Sequence, residues 1–118
     1  MSADRLQAIQ EQIRGFANDR DWDQFHSPKN LSMALSVEAA ELLEHFQWLT
    51  EAQSSNLDSD QLAKVRLELA DIFIYLLRLA DKLDVDLLDA AGDKLALNEK
   101  KYPAARVRGD ARKYTDYE

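Results

Sequence analysis

Cysteine is absent from the chain. That excludes disulfides, a thiolate nucleophile, a Cys-ligated zinc and an iron–sulfur cluster, and it fits a reducing compartment. Glycine (three) and proline (two) are scarce among 118 residues, so helix breakers are few. No long uncharged apolar run is present, which leaves no candidate transmembrane helix. The start, "MSADRLQAIQEQIRG", lacks the basic opening and apolar core of a signal peptide, so a cytoplasmic protein away from membranes is expected. Positive charge is in deficit: 15 Lys and Arg against 22 Asp and Glu give a net −7. A nucleic-acid polymer wants clustered cations and is not an expected partner. A small polyanion stays possible where metal cations supply the missing charge.

What is there is helix-forming. Ala, Leu, Glu, Asp and Lys dominate, and with so few breakers the composition predicts an all-α fold. The length fits a single domain, 1–118, with a short tail from about residue 103. Four helical segments can be read. The first spans about Ala3 to Asn18, with Leu6, Ile9, Ile13, Phe16 and Ala17 at three- and four-residue spacings. The aromatic and polar stretch "DRDWDQFHSP" interrupts it, and Ser27 with Pro28 predicts a capped helix start. The second helix is expected from Pro28 to Leu49, the third from Ser59 to Leu83, and the fourth from Val85 or Asp86 to just before Pro103. "LSMALSVEAAELLEHF" and "VRLELADIFIYLLRLA" are apolar on more than one side. A lone bundle would expose that surface, so the expectation is a four-helix bundle that assembles through these helices into a homo-oligomer, a dimer or tetramer.

The second helix carries an anomaly. At roughly 100° per residue, Glu38, Glu41, His45 and Trp48 share one narrow arc, roughly 140° from the polar face of Ser36, Ala40, Glu44 and Gln47. Two carboxylates one turn apart therefore avoid the water side. On the third helix Glu68, Asp71 and Tyr75 form a similar stripe, extended by Lys64, Arg78 and Lys82; alone, it reads as a solvated face. Together, four partly buried acids could not all stay ionised without compensation, and divalent cations would provide it. There is no Glu-x-x-His pair of the di-iron type, because His45 follows Glu41 by four residues and the only other histidine is His26. A carboxylate-only set points to Mg²⁺, with Mn²⁺ as a substitute, ions that commonly handle phosphates.

At these residues the chain resembles the all-α, MazG-like nucleoside triphosphate pyrophosphohydrolases. Glu38-x-x-Glu41 followed by Glu68-x-x-Asp71 matches their E-x-x-E…E-x-x-D signature, and "RDWDQFHSPKNL", "EAAELLEHFQW", "ELADIFIYLL", "NEKKYP" and "RKYT" are similar to segments of the dCTP pyrophosphatase branch. The similarity runs from about Phe16 to Thr115. It implies Glu38, Glu41, Glu68 and Asp71 as metal ligands. Trp22 and His26 would line a base pocket, Trp48 and Tyr75 would make further substrate contacts, and Lys94, Asn98, Lys101 and Tyr102 would meet phosphate and sugar. By itself Trp22 reads as a packing tryptophan and His26 as a surface or capping histidine. Relatives carry a histidine where this chain has Ile13, and glycines where it has Val37 and Ala40. The implied reaction is hydrolysis of a nucleoside triphosphate, dCTP or a modified dCTP, to monophosphate and pyrophosphate, as in nucleotide-pool sanitation, with Glu38 and Glu41 as catalytic acids and Glu41 as the general base. The alternatives are another preference such as dUTP, or a non-catalytic metal-binding helical oligomer. The tail cations Arg106, Arg108, Arg112 and Lys113 could close over a triphosphate or simply stay solvated.

Overall fold

The computed structural model describes residues 3–111 and Thr115; Arg112 and Lys113 lie outside them. The described residues form six helices and one 3-10 turn with no strand, so the all-α expectation holds. Two compact units divide the chain, Met1–Val85 and Asp86–Glu118. In the first, α1 (Ala3–Asp19), the 3-10 turn Asp23–Phe25, α2 (Pro28–Glu44), a short α3 (Glu51–Ser54) and α4 (Ser59–Lys82) follow in order. In the second, α5 (Leu87–Lys101) starts at Asp86, whose side chain accepts from the Asp89 N–H, and α6 (Ala104–Val107) follows Pro103.

The helix starts obey capping chemistry. Ser27 accepts from the Asn30 N–H at 3.1 Å with Pro28 in the first turn, as expected. Asp58 and Gln61 form a reciprocal capping box at the head of α4. The stops are less familiar. α1 and α4 each end on an aspartate in the left-handed region, Asp21 (φ 53°) and Asp84 (φ 55°). The next N–H reaches back five residues in both cases, Trp22 to the Ala17 carbonyl and Val85 to the Ala80 carbonyl, each at 2.9 Å. This is the six-to-one bond of a Schellman stop, made with Asp where glycine is commonest; its short polar side chain tolerates positive φ.

The expected second helix is too long by a turn and more. α2 ends at Glu44; His45 is its C-cap, and Phe46, Gln47 and Leu49 sit in successive tight turns. The cause lies just beyond. Thr50 is held extended (φ −72°, ψ 163°) because its hydroxyl caps Gln53 while the Gln53 amide returns to the Thr50 N–H. That box starts α3 inside a segment whose polarity reads as linker, and an extended residue there cannot continue a helix.

α2 runs along α4, and α1 touches α4 more lightly. The buried apolar residues are Leu6 and Ala17 of α1, Leu31 of α2, and Val65, Leu77 and Ala80 of α4. Leu31 and Leu77 are the largest fully withdrawn side chains, each contributing about 1.5–3 kcal/mol through burial. This core is small for the apolar content. Val37 and Leu43 of α2 and Leu67 and Leu69 of α4 are more than half exposed.

Candidate functional site

The pairing of α2 with α4 brings the two acidic stripes together. Glu38 and Glu41 lie one turn apart on α2, and Glu68 comes from α4; one carboxylate oxygen of each lies within 4.8 Å of the other two. All three side chains are half-buried. Among the described residues, one oxygen of Glu38 and one of Glu68 are shut off from solvent and find no hydrogen-bond partner. Such orphaned acceptors are costly when ionised. Burial pushes the Glu38 carboxyl up from 4.5 to about 7; the neighbouring carboxyls of Glu68 and Glu41, with which only a protonated Glu38 can hydrogen-bond, and the charges of Glu41 and Asp71 push the same way. Asp71 is exposed and stands outside the close trio, near enough to act on Glu38 by charge alone. Oxygen-only donors with two unpartnered buried oxygens fit a hard divalent cation, which would turn the repulsion into ligation.

The Trp22–His26 turn forms a second cluster. Phe16 meets Trp22 edge-on, with ring centroids 5.7 Å apart, and His26 lies 6.3 Å from Trp22. The guanidinium of Arg20 covers the Phe16 ring at 3.6 Å. Trp22 is 43 % exposed, so it is only partly packed and presents a usable face. Tyr75 is half-buried on the acidic side of α4. Trp48 is 86 % exposed and sits beyond the end of α2, so it rides on a turn rather than on the acidic arc of a continuing helix. Within the second unit, Lys94 and Asn98 lie on α5, Lys101 is its last residue, and the Tyr102 N–H donates to the Asn98 carbonyl at 2.7 Å.

One functional-looking element escaped the sequence reading. Arg78 extends the α4 stripe in sequence, yet only 4 % of it is exposed. It donates from Nε to His26 Nδ1 at 3.1 Å and from Nη2 to Asp23 Oδ1 at 2.6 Å, and its Nη1 lies 3.5 Å from Asp81. Asp81 is also gripped through both oxygens by Arg14 of α1, at 2.7 and 2.9 Å, and Lys82 donates to Asp23. A buried guanidinium is tolerable only with such partners. Arg14 and Lys82 act chiefly through their hydrogen bonds to hold the Asp81 and Asp23 carboxyls below the usual range. His26 is held low by burial first, then by the positive charges of Arg78 and Lys82, with Asp23 opposing. The one sequence cue is that Arg78 follows Asp71 by seven residues and so shares its face two turns on.

Fold and site together define an all-α protein that gathers carboxylates between two helices and carries a separate aromatic turn. The chain belongs to the MazG-like family, whose model matches residues 33–117. It is 41 % identical over 113 residues to dCTP pyrophosphatase 1 of Homo sapiens, covering 94 % of this chain and 66 % of that protein. The Mus musculus protein of the same name is 42 % identical over the same shares. The chain thus spans slightly less than two thirds of these relatives' length. Among solved structures, a pyrophosphatase from Archaeoglobus fulgidus superposes with a TM-score of 0.80 at 36 % identity, over 84 % of this chain and 93 % of that one.

Proposed function

We propose that this chain is a Mg²⁺-dependent nucleotide pyrophosphohydrolase that cleaves dCTP or a modified dCTP to the monophosphate and pyrophosphate, with a role in nucleotide-pool sanitation in the cytoplasm. The observation that carries the reading is the trio Glu38, Glu41 and Glu68 with its two unpartnered buried oxygens. With Asp71 at its edge, this set would hold Mg²⁺, or Mn²⁺ in its place. Bound cations would offset phosphate charge and make a nearby water more acidic. With such ions bound, Glu41 would accept a proton from the attacking water, Glu38 and the α4 acids would hold the metal, and Trp22 would stack on the base with His26 beside it. Tyr75, Trp48, Lys94, Asn98, Lys101 and Tyr102 are assigned to substrate by resemblance to the family, and the whole chain is taken as one functional domain. The likeness to dCTP pyrophosphatase 1 supports the reading.

The exposed apolar residues of α2 and α4 support a homo-oligomer, dimer or tetramer. Ile13, half-buried on α1 near the aromatic cluster in sequence, favours one further possibility: a base preference shifted from dCTP, for instance toward dUTP. Across the described residues no helix is long and apolar enough to cross a membrane.

The test is a screen of canonical and modified nucleoside triphosphates with Mg²⁺, scoring pyrophosphate release. Turnover is expected for a pyrimidine deoxynucleotide and should drop about 10²- to 10⁴-fold in Glu41→Gln with unchanged circular dichroism. Uniform inactivity of the wild type would point instead to a metal-binding helical scaffold.

A further inference from the structure

The contact between Arg78 and His26 has a chemical consequence. An arginine guanidinium has only donors and keeps its charge in proteins. The ring nitrogen facing Arg78 Nε at 3.1 Å must therefore be the unprotonated one, and that nitrogen is Nδ1. A neutral imidazole with a bare Nδ1 carries its proton on Nε2. No hydrogen bond to His26 Nε2 occurs among the described residues, so its N–H remains available.

We propose that Arg78 is a positioning residue that locks His26 as the Nε2–H tautomer, so that the Trp22–His26 turn offers a fixed hydrogen-bond donor and selects bases presenting an acceptor, a ring nitrogen or carbonyl, at that place. This rests on the pyrophosphohydrolase reading and deepens it. The guanidinium is almost fully buried and is itself held on its other side by Asp23 and Asp81, so it is braced. Arg14 completes the brace by gripping Asp81 from α1. The groups facing His26 are Arg78 and Lys82 from α4 and Asp23 from its own turn. The two cations outweigh the one carboxylate and disfavour a doubly protonated ring. A locked tautomer discriminates more sharply than a free one, since a base offering a donor there would leave two N–H groups opposed.

The test has two arms. Long-range ¹H–¹⁵N spectra of the histidine rings, with His45→Gln to assign the two signals, report the tautomer directly and need no turnover. His26 should show a pure Nε2–H pattern in the wild type and a mixed one in Arg78→Met. The KM for dCTP with Mg²⁺ should rise about 10- to 100-fold in Arg78→Met, with kcat changed less and Mg²⁺ affinity unchanged. Should Arg78→Met not fold, Arg78→Gln serves, since its neutral amide can either donate or accept and so no longer dictates which ring nitrogen carries the proton; it should shift the tautomer and KM the same way. A wild-type His26 protonated on Nδ1, a tautomer unmoved by loss of Arg78, or equal losses of kcat, substrate affinity and Mg²⁺ affinity would each overturn the proposal. Absence of both turnover and binding of α,β-imido-dCTP in the wild type would sink the hydrolase reading and the base-selection half of this one, while the ring spectra would still decide whether Arg78 sets the tautomer.

Discussion

Glu38 is the residue whose removal should make the metal-free protein more stable. Its carboxyl ionises at about 7 in the folded chain against an ordinary 4.5, so the folded state holds a proton that the unfolded state has released. The sign follows: stability is fully present below about pH 4.5 and is lost as pH rises through about 7. At roughly 1.36 kcal/mol per pH unit the ceiling is about 3 kcal/mol. Water around the half-buried side chain screens part of this, leaving about 1–2 kcal/mol. Glu38→Gln keeps the shape, cannot ionise, and can donate to the carboxylates of Glu41 and Glu68. In EDTA at pH 8 it should therefore melt about 3–10 °C above the wild type for a domain of this size. At pH 5 the wild-type group is already protonated and the gain should vanish. Saturating Mg²⁺ should stabilise the wild type more than the variant, narrowing or reversing the gap seen at pH 8. Calorimetry or circular dichroism at fixed protein concentration reads all three conditions. A gain of equal size at pH 5 and pH 8 would mean that something other than carboxylate repulsion was relieved. No gain at pH 8 would mean that the trio is well solvated and has no need of a cation.

Two further outcomes follow from the same packing. Leu31→Ala removes one of the two largest fully buried side chains, at 1 % exposure, and should cost about 2–5 kcal/mol in urea unfolding; a loss below about 1 kcal/mol would place the core elsewhere. Leu67→Glu puts a charge on a residue 64 % exposed, which an isolated protomer should barely notice. If that face is an oligomer interface, light scattering after gel filtration should show a smaller mass, and an unchanged mass would remove that surface from the assembly.

The parts of the fold legible in the sequence are those that short-range chemistry decides. Three- and four-residue spacing located α1, α2, α4 and α5, and Ser27–Pro28 and Asp86 marked two starts. The stops were harder, because α1 and α4 end on Asp21 and Asp84 rather than on glycine. The end of α2 was hidden by Phe46, Trp48 and Leu49, which continue the apolar spacing through tight turns. The capping pair Thr50 and Gln53 lies in a polar stretch between two long helices, where polarity by itself suggests only a linker. For the site, two acidic pairs on consecutive helices were enough to expect convergence, and three of the four acids do converge. Asp71 stays exposed at the edge. Beyond the shared face of Asp71 and Arg78, the Arg78 network is not legible: its hydrogen bonds join residues 52 to 67 positions apart, and each member alone looks like a surface charge.

That network explains why a strongly acidic chain would keep a guanidinium buried on the same helix as its carboxylates. α4 carries Glu68, Asp71, Tyr75 and Arg78 on neighbouring turns of one side. Ten residues at 1.5 Å per residue separate Glu68 from Arg78 by roughly 15 Å along the axis. The acidic end repels anions unless cations offset it, whereas at the other end burial and then the charge of Arg78 hold the His26 pKa down, and Arg78 braces its turn. A ligand with a charged tail and an uncharged ring therefore meets two different demands along one rigid rod. Under the proposed function, the tail would bind only with metal, and the ring would be sorted by hydrogen bonding independently of it. Because the two ends lie well beyond the range over which side chains couple directly, metal affinity and base choice would then be free to vary separately.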